Sequence, residues 1–250
     1  MIIIKNKQEI EGIRKACTLA ARCLEELEKH LFIGQNTEQL DKIAFDYMMA
    51  NKAIPATLNY NGFPKSLCTS INNVVCHGIP SEKDILKDGD IINVDVTVIL
   101  DGYFGDTSKT FIIGEVPEDV RLFVDRAERA MYKGINVLRP GILLNQMGKA
   151  IETYVKKFGY SVVEAYGGHG VGIKFHEDPH VCNFYSKTNK ILLKEGMIFT
   201  VEPMINKSKN YNVETSEIDG WTVRTVDNSL SAQFEHTVLI TKNSVEILTV

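Results

Sequence analysis

The sequence predicts a mixed α/β (α+β) fold made of two similar halves, each a pair of amphipathic helices followed by sheet. Three observations predict it. Apolar residues recur at three-to-four spacing in two windows of each half. Each helical pair gives way to β-branched, alternating sequence. One segment also occurs twice: Leu86 to Asp95 aligns with Leu193 to Glu202, 107 residues on, with Leu, Lys, Gly, Ile and Val matching and a carboxylate closing both. The order of the helices agrees independently, so the repeat outweighs a chance match.

The elements follow in order. Gln8 to His30 carries Ile10, Ile13, Ala20 and Leu27 on one helical face. Asn36 with Gln39 resembles a capping box opening a second helix through Leu40, Ala44 and Met48. Asp90 to Leu100 reads as a strand, Asp101-Gly102 as a two-residue hairpin turn, and Tyr103 to Ile113 as the return strand. Pro117 suits the start of a third helix, which runs to about Leu138 and stops at Arg139-Pro140-Gly141. A fourth runs from about Leu144 to Phe158 and ends at Gly159.

A length of 250 residues with 44% hydrophobic content suits one folded domain over 1–250, with halves of about 1–115 and 116–250. The charge of −4, from 28 basic and 32 acidic residues, argues against direct nucleic-acid binding. No apolar run approaches the ~18 residues of a membrane span. The start, Met1 to Lys5, is too short for a signal-peptide core. Five cysteines without CxxC spacing point to a reducing, cytoplasmic setting. No heptad suggests assembly, so a monomer is expected.

The chemistry lies in the acids and histidines. In the hairpin, Leu100 faces Tyr103, so Thr97 faces Asp106. Asp95 and Thr97 share a face, and Asp106 is the diagonal neighbour of Asp95, roughly 7 Å away. Asp95 also interrupts Val94, Val96 and Val98 in a strand that reads as buried. Two carboxylates on such a face repel unless protonated or bound to a cation, and a divalent metal is the economical explanation. His169 lies in a glycine run, Gly167 to Gly172, where backbone can approach a site closely. Glu202 ends the repeated strand, and Glu235 is the one acid in Ser231 to Ile240. Four carboxylates and one His suit two divalent ions better than a single zinc. His176 to His180 matches HExxH, but Pro179 and the preceding glycines forbid the helix that a zincin needs.

Ordered motifs across nearly the whole chain resemble type I methionine aminopeptidases. They include Asn59 to Ser66, Val75 to Pro80, Asp90 to Asp95, Gly105 to Ser108, Gly168 to Gly172, Phe175 to Glu177, Phe199 to Pro203, Asp219 to Val223 and Ser231 to His236. Type I fits better than type II because only 26 residues separate His176 from Glu202, leaving no room for the type II insertion. Two positions depart from the pattern: the polar stretch Lys207 to Ile218, and Thr57, often Cys in relatives.

The resemblance implies the pita-bread fold and removal of N-terminal methionine from nascent proteins before a small second residue. It implies that Asp95, Asp106, His169, Glu202 and Glu235 ligate two divalent ions, with Asp106 and Glu235 bridging. The ions would be Mn, Fe, Co or Zn, and a bridging hydroxide would attack the scissile carbonyl. Glu202 would handle the proton, His176 would bond the oxyanion and His77 would hold the leaving peptide nitrogen. Tyr60, Phe63, Cys68, Phe175 and Trp221 would form the methionine pocket. A monovalent cation would bind near Asn72, Val74 and Ser231, and the ribosome is an expected place of action. Ile2 is bulky, so the chain is expected to keep its own Met1. One rival is an X-Pro aminopeptidase or prolidase, which usually carries an extra N-terminal domain. The other is a non-catalytic relative, which would lack metal ligands.

Overall fold

Asn6 opens the first helix with a full capping box: its side chain accepts from Glu9 N, and the Glu9 carboxylate accepts from Asn6 N. The sequence reading placed such a box at Asn36, where only the bond from Gln39 N to the Asn36 side chain forms. The computed structural model describes residues 1–250 and holds four α-helices. They are α1 (Lys7–Glu28), α2 (Thr37–Ala50), α3 (Glu118–Ile135) and α4 (Asn145–Val155). Pro117 is the residue before α3, and α4 tightens through a 3₁₀ turn at Lys156–Phe158 into left-handed Gly159.

Fifteen strands complete the chain. The first half has β1 (Ile54–Pro55), β2 (Cys68–Ile71), β3 (Val74–Cys76), β4 (Ile91–Leu100) and β5 (Tyr103–Ile112). The second has β6 (Ser161–Val162), β7 (Gly168–Gly170), β8 (Glu177–Val181), β9 (Ile198–Val201) and β10 (Met204–Asn206). It continues with β11 (Val213–Thr215), β12 (Val223–Thr225), β13 (Ser231–Gln233), β14 (Glu235–Ile240) and β15 (Val245–Ile247). β8 confirms that the HExxH segment is extended, not helical.

The main sheet has nine strands, running β1-β4-β5-β14-β9-β7-β8, with β2 on β4 and β15 on β14. All of its pairs are antiparallel, which makes the class α+β. The β4–β5 hairpin keeps the expected register, Leu100 opposite Tyr103 and Thr97 opposite Asp106. Its turn works because Asp101 (φ 52°) and Gly102 (φ 83°) both take the positive φ of a type I′ turn.

The repeat is visible in hydrogen bonds. Gly34 N to Leu86 O (2.8 Å) recurs as Gly141 N to Leu193 O (2.9 Å), and Leu86 N to Gln35 O (2.8 Å) as Leu193 N to Ile142 O (2.9 Å). The isolated bridge Asn36–Ile85 recurs as Leu143–Leu192. Every partner is displaced by the same 107 residues as the sequence repeat. Each half also has its own core. α1 and α2 pack Ala20, Leu27, Leu40 and Met48 against Val94, Val96 and Val98 of β4. α3 and α4 pack Phe123, Met131 and Ile151 with Phe199 and Val201 of β9. Gly105 lets β5 press onto α1: a Cβ there would lie 2.3 Å from Ala16 C and Cys17 N.

Candidate active site

The sheet register assembles the acids. Ser108 of β5 is opposite Asp95 on one side and Glu235 on the other, so both carboxylates lie in one row on one face. Asp106, two residues before Ser108, shares that face. Ligand oxygens of Asp95, Asp106 and Glu235 all lie within 4.8 Å of one another. β9, paired with β14, delivers Glu202 just past its end. β7 then brings His169, whose Nε2 is 3.6 Å from Asp106 Oδ2 and 3.8 Å from Glu202 Oε1. The five residues expected to be ligands are thus gathered at one place.

Neighbouring side chains hold them. Thr97 Oγ1 donates to Asp106 Oδ1 (2.7 Å). Thr200 Oγ1 donates to Glu202 Oε1 (2.5 Å), and Gln233 Nε2 to Glu202 Oε2 (3.2 Å). His169 Nδ1 is 3.0 Å from Gly170 O, so that nitrogen carries the proton and Nε2 turns a free lone pair toward the acids.

Burial raises the carboxylates far from their ordinary range. Asp106 is pushed up to about 7, chiefly by desolvation, against the lowering bond from Thr97. Asp95, Glu202 and Glu235 are also raised, first by burial and then by repulsion from the other acids. Burial lowers His169 to about 3 and His77 to about 4, and His176 also shifts down, so all three rings are neutral at pH 7. No Lys or Arg lines the cavity. Three buried acids and the half-buried Asp95, with no Lys or Arg beside them and a neutral imidazole lone pair close by, fit a divalent-cation site of mixed O and N donors.

The acids open into a cavity of about 300 Å³. That is at the small end of ligand sites, sized for one amino-acid side chain and its backbone. All five residues expected for the methionine pocket line it. Phe63 and Trp221 meet edge to face at 5.2 Å between ring centroids, and Tyr60 leans on Phe175 at 4.7 Å. His77, held at φ 57° just past β3, meets Trp221 at 6.1 Å. His176 lies 4.0 Å from the His169 ring and stacks on Tyr60 at 5.2 Å.

Sequence reasoning missed four neighbours. Thr200 and Gln233 each stand two residues before a ligand, where strand alternation returns to one face, and that spacing was the available signal. Tyr166, edge-on to His77 at 5.5 Å, and Met204 line the cavity without any local pattern to announce them. At the expected monovalent-cation position, Ser231 N donates to Asn72 O (2.8 Å), so those two segments do meet. All five cysteines are free and buried. No helix is long and apolar enough to cross a membrane.

An antiparallel sheet that carries both helix pairs on one face, with acids and a histidine converging on the other, presents the donor set of a metal centre. The chain belongs to metallopeptidase family M24, which matches residues 11–242. Methionine aminopeptidase from Buchnera aphidicola is 49% identical over 99% of this chain and 93% of that protein. The one from Escherichia coli K12 is 47% identical over 99% and 94%. Among solved structures, methionine aminopeptidase from Rickettsia prowazekii superposes with a TM-score of 0.97 at 49% identity, covering both chains fully. That from Thermotoga maritima gives 0.96 at 36%, over 100% and 99% of the chains. Prolidase from Pyrococcus furiosus is more distant, with a TM-score of 0.78 at 25% identity and 65% of its chain covered. Within the family, then, this pita-bread chain is a methionine aminopeptidase, a hydrolase that removes N-terminal methionine.

Proposed function

We propose that the chain is a single catalytic domain whose halves, about 1–115 and 116–250, close around two divalent ions held by Asp95, Asp106, His169, Glu202 and Glu235. Asp106 and Glu235 would serve both ions, Asp95 one of them, and His169 with Glu202 the other. The observation that carries this reading is the acid cluster within 4.8 Å, Asp106 and Glu235 buried and Asp95 half-buried, with no Lys or Arg in the cavity lining. The metal is Mn, Fe, Co or Zn. When bound, such ions polarise the scissile carbonyl and make water acidic enough to deprotonate near neutral pH.

The chain's own residues do the rest. Glu202 takes the water proton on its carboxylate, which Thr200 and Gln233 hold in place. His176, a neutral ring beside the site, donates to the carbonyl oxygen as charge develops; one such donor is typically worth roughly 3 kcal/mol. His77 holds the peptide nitrogen of the leaving residue. Cys68 is a protonated thiol, raised well above its ordinary value by burial, so the pocket presents it uncharged. With Tyr60, Phe63, Phe175 and Trp221 it surrounds a methionine thioether, at about 0.3–1.5 kcal/mol per sulfur–aromatic contact.

The substrates are nascent chains with a small second residue, met in the cytoplasm at the ribosome by a monomeric enzyme. A monovalent cation would be held near Asn72, Val74 and Ser231, where Ser231 N meets Asn72 O. The test is metal-dependent Met release from Met-Gly peptides, with Ala-Pro peptides alongside. Asp106→Ala is expected to abolish release and lower bound metal. A folded, active Asp106→Ala variant would sink the dinuclear reading, and preferred cleavage of Ala-Pro starts would favour a prolidase.

A further inference from the structure

We propose that Lys5, in the arm before α1, is a positioning residue for His176 and acts through Glu177. The inference rests on the role given above to His176.

Lys5 Nζ and a Glu177 carboxylate oxygen form an ion pair whose side chains are 0% and 1% exposed. A buried pair is no argument for stability by itself, because desolvation offsets much of the attraction. The other bonds of Glu177 show what this pair holds. Its Oε2 takes Lys5, while Oε1 accepts from Ile173 N (2.7 Å) and Lys174 N (2.8 Å). Neither amide donates to a backbone carbonyl. The carboxylate therefore closes the 173–177 loop on itself, and Phe175 and His176 ride on that loop.

The loop enters from β7, which carries His169, and leaves into β8. The His176 ring lies 4.0 Å from the His169 ring. The arm is anchored in turn, since Lys5 N donates to Gly196 O (2.9 Å) in the turn before β9. Lys5 thus joins the strand that leads to Glu202 with the loop that bears His176. Without its ammonium, Glu177 keeps a buried charge with only two amides to answer it. The carboxylate would then turn toward water and release the loop. A shift of about 1 Å in a catalytic group can lower a rate ~10²-fold.

The experiment compares Lys5→Met, Glu177→Asp, His176→Ala and the double variant Lys5→Met/His176→Ala. Steady-state kinetics on Met-Gly peptides is read beside metal affinity by calorimetry and thermal unfolding. Glu177→Asp keeps both charges but shortens the reach to the two amides, so it carries the test where Lys5→Met does not fold. The expected result is a kcat lowered at least about tenfold in each single variant. Metal affinity is expected to stay within about twofold, since neither Lys5 nor Glu177 belongs to the ligand set, whereas KM rises to the extent that Phe175 moves with the loop. Lys5→Met is expected to cost His176→Ala nothing further, because the two act as a unit. A folded Lys5→Met or Glu177→Asp protein with unchanged kcat overturns the inference. So do losses that multiply in the double variant, which would mean that Lys5 acts elsewhere. Full kcat in His176→Ala overturns the reading of His176 itself, and this inference with it.

Discussion

Removing divalent ions leaves Asp95, Asp106, Glu202 and Glu235 facing one another in a buried cavity. In the folded chain, burial and mutual repulsion raise all four, Asp106 to about 7 and the others well above their ordinary values. In the unfolded chain all four ionise by about pH 5. The stripped, folded protein therefore holds protons on these acids at a pH where the unfolded chain has lost them, Asp106 doing so up to about 7. Stability therefore falls as pH rises, by about 1.4 kcal/mol per pH unit for each retained proton. Each proton held across the whole span from pH 6.5 to 8.5 would amount to roughly 3 kcal/mol, or ~5–11 °C in Tm for a chain of this size.

Other groups do not hide the effect. His77, His169 and His236 have lowered folded pKa values, so their contribution is present above about 6.5 and is lost only as pH falls. Burial raises the thiols of Cys17, Cys23, Cys68 and Cys76, and because an unfolded thiol ionises only near ~8.5, they leave the step from pH 6.5 to 7.5 largely untouched. The assay is scanning calorimetry of metal-loaded and chelator-stripped protein at pH 6.5, 7.5 and 8.5. The Tm gap is expected to widen at each step. A constant or narrowing gap would refute the idea that metal ions replace protons on these acids.

Three further outcomes are expected. Thr200→Val removes the donor to Glu202 Oε1 and should lower kcat by about 10- to 100-fold at nearly constant KM, on the usual scale of ~1.5–3 kcal/mol for a hydrogen bond to a charged group; stopped-time Met release checks it. Trp221→Ala strips the edge contacts to Phe63 and His77, so KM for Met-Gly peptides should rise roughly tenfold, about 1.4 kcal/mol, with discrimination against Leu-Gly peptides reduced. Gly105→Ala drives a methyl into the α1 backbone at Ala16–Cys17 and should destabilise the fold by about 1–3 kcal/mol or more, read from urea denaturation.

The sequence was most informative where local rules fix geometry. A two-residue Asp101-Gly102 turn allows one register, so Thr97 opposite Asp106 followed from counting. Pro179 excluded a helix at His176 to His180, and β8 is extended there. Acids interrupting apolar strands marked Asp95 and Glu235 for notice. Strand order was different. Nothing local says that β14 pairs with both β5 and β9, because antiparallel partners can lie anywhere along a chain. That pairing aligns Glu235 with Ser108 and Asp95, so the acids' convergence came from the repeat and the resemblance, not from spacing alone. Tyr166 and Met204 were invisible for the same reason. Lys5 was invisible because a single Lys in a terminal arm looks solvated until its partner, 172 residues away, is placed.

The position of β14 also bears on how the enzyme comes into being. This strand, Glu235–Ile240, fills the seam between β5 of the first half and β9 of the second. During synthesis, where domains emerge N-terminus first, both edges stay open until that strand has been made. A nascent chain stopped before residue 235 would lack a carboxylate from its proposed metal set and expose two unpaired strand edges, the surfaces that invite aggregation. Activity therefore arrives late and all at once, when the seam is zipped. Clients of this protein must therefore be served by copies completed earlier.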